Sequence, residues 1–129
     1  MRYLGVDFGS KRIGLAVSDD EGKMAFPCSV VQNNENLLNE IEKIIEKEKI
    51  EAIVIGESKN FQGEPNKIMA EIEEFKKILK EKIKLEIYFE LEFLTSSQAK
   101  QIQGENKMHD ASAAAIILQS YLDKNSYML

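Results

Sequence analysis

Tyr3-Leu4-Gly5-Val6-Asp7-Phe8-Gly9-Ser10-Lys11-Arg12-Ile13-Gly14-Leu15-Ala16-Val17-Ser18 is the stretch on which the fold turns. Residues 3–8 are a short apolar run closed by Gly9 and Ser10, the pattern of a strand that ends in a turn. Ile13, Leu15 and Val17 then alternate with smaller residues, the period of a half-buried strand. Gly9-Ser10-Lys11 between them is short enough to close a hairpin. Asp20-Glu21-Gly22-Lys23 supplies a second turn, and residues 26–31 complete a three-stranded antiparallel meander.

Composition changes at Asn33. Asn33 or Asn34 is expected to cap a helix, because a side-chain oxygen there can accept from a free N–H of the first turn. Leu37, Leu38, Ile41, Ile44 and Ile45 follow at helical spacing, with Glu and Lys between them as a solvated face. Residues 52–55 read as a compact strand ending at Gly56, and residues 57–64 as a polar loop. Pro65 suits the first position of a second helix, whose buried face is Ile68, Ile72, Phe75, Ile78 and Leu79. Residues 85–89 read as a fifth strand. A short helix is expected from Thr95 to Gln103, stopped by Gly104. Asp110 opens a last helix that packs through Ala113, Ala114, Ile117, Leu118 and Tyr121, and residues 124–129 are expected to fray. A meander followed by alternating helices and strands predicts an α/β domain. Its sheet is mixed and five-stranded, with the fourth strand parallel to the first and helices on both faces.

The chain has 129 residues, enough for one domain and one core. No apolar run approaches the roughly 20 residues that span a bilayer. The opening MRYLGVDFGS has no secretory pattern. Cys28 is the single cysteine and no Cys/His cluster suggests zinc, so a cytoplasmic location without membrane association is expected. The formal net charge of −5 sets a mild electrostatic handicap against polyanions, which a local basic rim can offset.

Chemistry is concentrated in carboxylates. Asp7 sits at the carboxyl end of the first strand beside Gly9, and strand ends are where α/β sheets bind ligands. Asp110 is held at the rigid start of the last helix, where it also has the makings of an N-cap. Glu90 and Glu92 come just after the fifth strand. Two or three such groups converging would hold Mg²⁺ or Mn²⁺, which favour hard oxygen donors. Lys11 and Arg12 on the first hairpin are candidate phosphate contacts, with Lys59, Lys67, Lys100 and Lys107 as further basic positions. His109, the only histidine, is a candidate acid or base beside Asp110.

Taken together, these segments resemble a known family. VDFGSKRIGLAVSD at residues 6–19 is similar to the opening signature of the YqgF/RuvX proteins, described as pre-16S rRNA nucleases or Holliday-junction-resolvase-like proteins. Glu92-Phe93-Leu94-Thr95-Ser96 resembles their D-E-R-L-T-T segment, and His109-Asp110-Ala111-Ser112-Ala113-Ala114 their closing D-x-x-A-A motif. The resemblance implies an RNase H-like fold. It also implies metal-dependent cleavage of structured nucleic acid, with Asp7, Glu92 and Asp110 as the catalytic, metal-binding carboxylates. Processing of the 5′ end of pre-16S rRNA is the leading expectation. Holliday-junction resolution, or nucleic-acid binding without cleavage, is the alternative, and the oligomeric state stays open, a homodimer included. An ATPase or sugar-kinase fragment is disfavoured by the lack of a second domain and a second glycine-rich loop. Two departures stand out. Leu91 and Phe93 flank Glu92 where the family carries Asp and Arg, and Glu57 follows Gly56 where the family carries an apolar residue. Glu57 is therefore a candidate further metal ligand.

Overall fold

The computed structural model describes residues 1–9, 11–58, 67–92 and 109–126. Three strands lead: β1 (Tyr3–Asp7), β2 (Arg12–Ser18) and β3 (Ala25–Gln32). Helix α1 (Leu37–Glu48), strand β4 (Ala52–Ser58), helix α2 (Lys67–Lys82), strand β5 (Glu86–Glu92) and helix α3 (His109–Ser126) follow. The sheet has five strands in the order β3-β2-β1-β4-β5. β1 is antiparallel to β2 and parallel to β4, and β4 is parallel to β5, so β1 is central. This is the mixed sheet expected from the alternation of elements. The helix expected over residues 95–103 and Pro65 at the start of the second helix lie outside the described residues.

Strand periodicity divides the apolar side chains between two faces. Leu4, Val6, Ile13, Leu15, Val17, Ile53 and Ile55 pack on one side against Leu37 and Ile41 of α1 and Ile72, Phe75 and Leu79 of α2. Each fully buried Leu or Ile there contributes about 1.5–3 kcal/mol. On the other side Ala16 and Val54 pack against Ala114, Ile117, Leu118 and Leu122 of α3. In this second layer the fully buried sheet residues are small, and the helix comes very close. A Cβ on Gly5 would lie 2.8 Å from Leu118 Cβ and 3.1 Å from the Ala114 carbonyl oxygen. Only glycine at position 5 lets α3 rest on β1 at this separation.

Several boundaries differ from the sequence reading, each for a physical reason. Helix α1 begins after Asn36, not after Asn33 or Asn34, and has no side-chain cap. Asn33 is engaged elsewhere: its Nδ2 donates to the Gly9 carbonyl at 2.9 Å. Asn34 Oδ1 accepts from the Asn36 N–H at 2.9 Å, a local turn that precedes the helix. β4 runs through Gly56 to Ser58, and β5 runs to Glu92, because the two strands continue to pair: Gly56 with Glu90, Glu57 with Leu91 and Ser58 with Glu92. Glu90 and Glu92 are thus strand residues and not loop residues. Ile78 is 37% exposed, at the rim of a cleft between α1 and α2, instead of on the buried face. Helix α3 continues through Ser126, with Lys124 anchored rather than frayed, as described below.

At the far end of the meander, the β2–β3 turn is closed by Asp19. Its Oδ1 accepts from the N–H groups of Lys23 (2.8 Å) and Met24 (3.3 Å). The Lys23 N–H first, and the Met24 and Gly22 N–H groups with it, hold the carboxyl below its usual range.

Candidate active site

Asp7 ends the central strand. In β2 it stands opposite Gly14. One step past the Val6–Ile55 pair in β4 it stands level with Gly56. Directly paired residues share a face of the sheet. Asp7, itself only partly buried, therefore lies between two positions without side chains. Among the described strand neighbours no side chain stands beside it at the carboxyl edge of the sheet, the kind of place where glycine lets a backbone or a phosphate come close.

The face can be identified. Tyr3 and Gly5, in phase with Asp7 along β1, touch Tyr121, Ala114 and Leu118 of α3. Phe8, in the opposite phase, packs on Phe75 of α2 with ring centroids 5.0 Å apart. Passing from Tyr3 to Gly5 along β1, the contacts move from Tyr121 back to Ala114, so α3 runs antiparallel to β1. Asp110 lies one turn before Ala114, a rise of about 6 Å. Asp7 lies two residues beyond Gly5, about 6.6 Å in the same direction. The first turn of α3, with His109 and Asp110, thus reaches the edge at which β1 ends.

β5 obeys the same alternation. Tyr88 stacks on Tyr121 with centroids 5.4 Å apart, and Glu90 bonds to α3, whereas Ile87 and Phe89 pack with the α1–α2 layer. Position 92 shares the phase of Tyr88 and Glu90, and hence of Asp7. Position 57 shares the phase of Ile53 and Ile55, on the opposite side. The side chains of Glu57, Glu92, His109 and Asp110 lie outside the described residues, as do Lys59, Lys100 and Lys107 and the side chain of Lys67. The backbone brings positions 7, 92 and 110 to one edge and one face, with 57 at the same edge in the other phase. Oxygen donors of the Asp and Glu kind are the set that suits Mg²⁺ or Mn²⁺.

The hairpin beside Asp7 is rigidly built. A Cβ on Gly9 would lie 2.4 Å from the Arg12 carbonyl oxygen, so the turn admits only glycine there. The Asn33 N–H donates to the Lys11 carbonyl at 2.9 Å and its side chain to Gly9, which ties the hairpin to the end of β3. Lys11 and Arg12 are exposed on this support, and Arg12 has the phase of Gly14 and Ala16, on the Asp7 face. The glycines flanking Asp7 and the clamp by Asn33 escaped the sequence reading, because both depend on strand register.

A family model described as RuvX, Holliday junction resolvase, matches residues 1–124. The chain belongs to the RuvX family. A RuvX relative from Sulfurihydrogenibium sp. (strain YO3AOP1), named "Putative pre-16S rRNA nuclease", is 40% identical across 98% of this chain and 92% of its own length. A relative of the same name from Mycoplasma mobile is 37% identical across 100% of this chain and 95% of its own. Among solved structures, the RuvX chain superposes on Thermus thermophilus RuvC in complex with Holliday junction substrate with a TM-score of 0.62. The two are 16% identical, over 98% of this chain and 96% of that one. Fowlpox virus resolvase, in complex with Holliday junction DNA, gives a TM-score of 0.62 at 12% identity, over 97% of this chain and 99% of that one. At these identities the likeness shows a shared fold, the RNase H-like resolvase architecture.

Proposed function

We propose that this RuvX-family chain is a metal-dependent endonuclease for structured nucleic acid, acting in the cytoplasm on the 5′ end of pre-16S rRNA. The observation that carries the reading is the placement of Asp7 between Gly14 and Gly56 at the edge where positions 92 and 110 also arrive. Asp7, Glu92 and Asp110 are assigned as the ligands of Mg²⁺ or Mn²⁺. Held by these residues, such ions would supply an activated water and charge stabilisation at the leaving oxygen of a phosphodiester. Lys11 and Arg12 hold the substrate backbone, with the hairpin clamp fixing where they stand. The names of the relatives favour ribosomal precursor RNA, and the family description favours a four-way DNA junction as the second reading.

The test incubates purified protein with end-labelled precursor RNA or a four-way DNA junction, in Mg²⁺, Mn²⁺ or chelator. Metal-dependent cuts in the RNA near the mature 5′ end are expected, with the junction cut more slowly. Cleavage of the junction alone would transfer the reading to resolution. Binding of either substrate without cleavage would make the chain an adaptor.

Strand phase also separates the two glutamates. Mn²⁺ titrated calorimetrically into Glu92→Gln is expected to bind at least about tenfold more weakly than to wild type, since even a supporting partner costs that much. Glu57→Gln is expected to bind like wild type, because β4 puts position 57 in phase with Ile53 and Ile55. A comparable loss in Glu57→Gln would make Glu57 a ligand and β4 a contributor to the site.

A further inference from the structure

Glu90 is a charged residue buried within a strand, only 4% exposed. Both carboxylate oxygens are occupied. Ser120 Oγ donates to Oε2 at 3.0 Å, and Lys124 Nζ donates to Oε1 at 2.8 Å. Ser120 and Lys124 are one turn apart on the same side of α3. Removing a carboxylate from water is expensive, and an apolar residue of similar size would often stabilise the fold as well or better. What the ionic pair supplies and apolar contact does not is direction, because hydrophobic burial is largely indifferent to orientation.

Direction matters here because of how α3 is mounted. Its closest approach to the sheet is the Gly5 contact with Ala114 and Leu118. Its fully buried apolar partners on the sheet, Ala16 and Val54, are small, with Tyr3 and Ala25 partly buried beside them, and Gly56, level with Glu90 on β4, offers no side chain. Toward β5 the described contacts are the stack of Tyr88 on Tyr121 and the Glu90 pair. The helix is therefore seated closest midway along its length, and its direction is held by Gln119, bonded to the Ala25 N–H and the Lys23 carbonyl on the β3 side, and by the Glu90 pair on the β5 side. From residue 116 to residue 110 is six residues, about 9 Å, and from 116 to 122, between Ser120 and Lys124, is the same. A displacement of about 1 Å at the Glu90 end moves position 110 by a similar amount in the opposite sense. An error of that size in a catalytic constellation costs on the order of 100-fold.

We infer that Glu90, through Ser120 and Lys124, is a positioning residue that fixes the crossing of α3 over β5 and so the spacing of Asp110 from Asp7 and Glu92. This rests on the assignment of those three residues as the metal site. The experiment measures Mn²⁺ affinity by calorimetry, and cleavage kcat and KM, for wild type, Glu90→Gln, Lys124→Met, the double variant and Ser120→Ala, with Asp7→Asn in parallel. All are compared well below their melting temperatures, with circular dichroism to establish folding. Glu90→Gln and Lys124→Met are each expected to weaken Mn²⁺ binding by about 10–100-fold. kcat should fall and KM change little. The double variant should be no worse than either single one, because the two groups act as a unit. Ser120→Ala leaves no buried charge unpaired, and decides the matter if Glu90→Gln does not fold: a loss of about tenfold in Mn²⁺ affinity is expected. Folded variants with wild-type Mn²⁺ affinity, beside an Asp7→Asn that has lost it, would reduce the Glu90 pair to a structural contact. Wild-type Mn²⁺ binding by Asp7→Asn would displace the metal site itself, and the positioning role with it.

Discussion

Asp7→Asn is expected to slow cleavage by on the order of 1,000-fold while the chain stays folded. Asparagine keeps the shape at the end of β1 and removes the negative charge proposed to hold the cation. A bound metal supplies several kcal/mol of transition-state stabilisation. About 4 kcal/mol of it corresponds to three powers of ten in rate. The neighbouring strands give no substitute, because Asp7 pairs with Gly14 and stands level with Gly56. Asp110→Asn should behave alike, since the first turn of α3 reaches the same edge. Metal-free stability should hold or rise slightly in both if the proposed site gathers like charges, since removing one relieves their repulsion. Single-turnover cleavage in Mn²⁺ and thermal melting by circular dichroism check the two halves separately. Turnover at the wild-type rate by Asp7→Asn would eliminate the carboxylate mechanism.

The largest effect on stability is expected at Gly5, a residue with no chemistry of its own. Alanine would place a carbon 2.8 Å from Leu118 Cβ and 3.1 Å from the Ala114 carbonyl oxygen. Neither neighbour is the flexible end of a side chain, so relief requires α3 to lift as a body. Overpacking of this kind costs about 1–3 kcal/mol. Gly5→Ala should lie at the upper end of that range, with a melting temperature lowered by roughly 10 °C, and Gly5→Val should go beyond it. The same lift withdraws Asp110 from Asp7, so Gly5→Ala should lose Mn²⁺ affinity even where it remains folded. A Gly5→Ala protein with wild-type melting temperature and Mn²⁺ affinity would show that the contact between α3 and β1 is less demanding than the geometry indicates.

The order of the described elements and the sheet pairing were legible because the periods of Ile13, Leu15 and Val17 and of Leu37, Ile41 and Ile44 are set by local geometry. What misled was charge. Glu57, Glu90 and Glu92 read as loop residues, yet β4 and β5 continue through them. Glu90 is tolerated there because Lys124, 34 residues later, neutralises it, a pairing that only the fold brings about. Asn33 or Asn34 was expected to begin the helix, and nothing local revealed that Asn33 was engaged with the hairpin at Gly9 or that the helix starts after Asn36. Asp7, Asp110 and the pair Glu90 and Glu92 stand out by their places at strand ends and a helix start, and the family resemblance selects Asp7, Glu92 and Asp110 among them. Strand phase adds a separation of positions 7 and 92 from 57 that required the register of three strands.

The sheet also partitions the interior into two unequal compartments. Leu, Ile, Val and Phe fill the one under α1 and α2 from both sides, whereas under α3 the sheet offers Ala16, Val54 and the Gly5 contact to the larger side chains of the helix. Long flexible side chains can redistribute volume among themselves, but a backbone-to-backbone seat cannot. Sequence drift should therefore be lopsided. The α1–α2 layer can exchange one large aliphatic for another, or lengthen a helix, with the site undisturbed behind five strands. The α3 seat has almost no neutral neighbours in sequence space. For anyone seeking a hardier version of this enzyme, the safe substitutions lie on the side of the sheet facing away from Asp7.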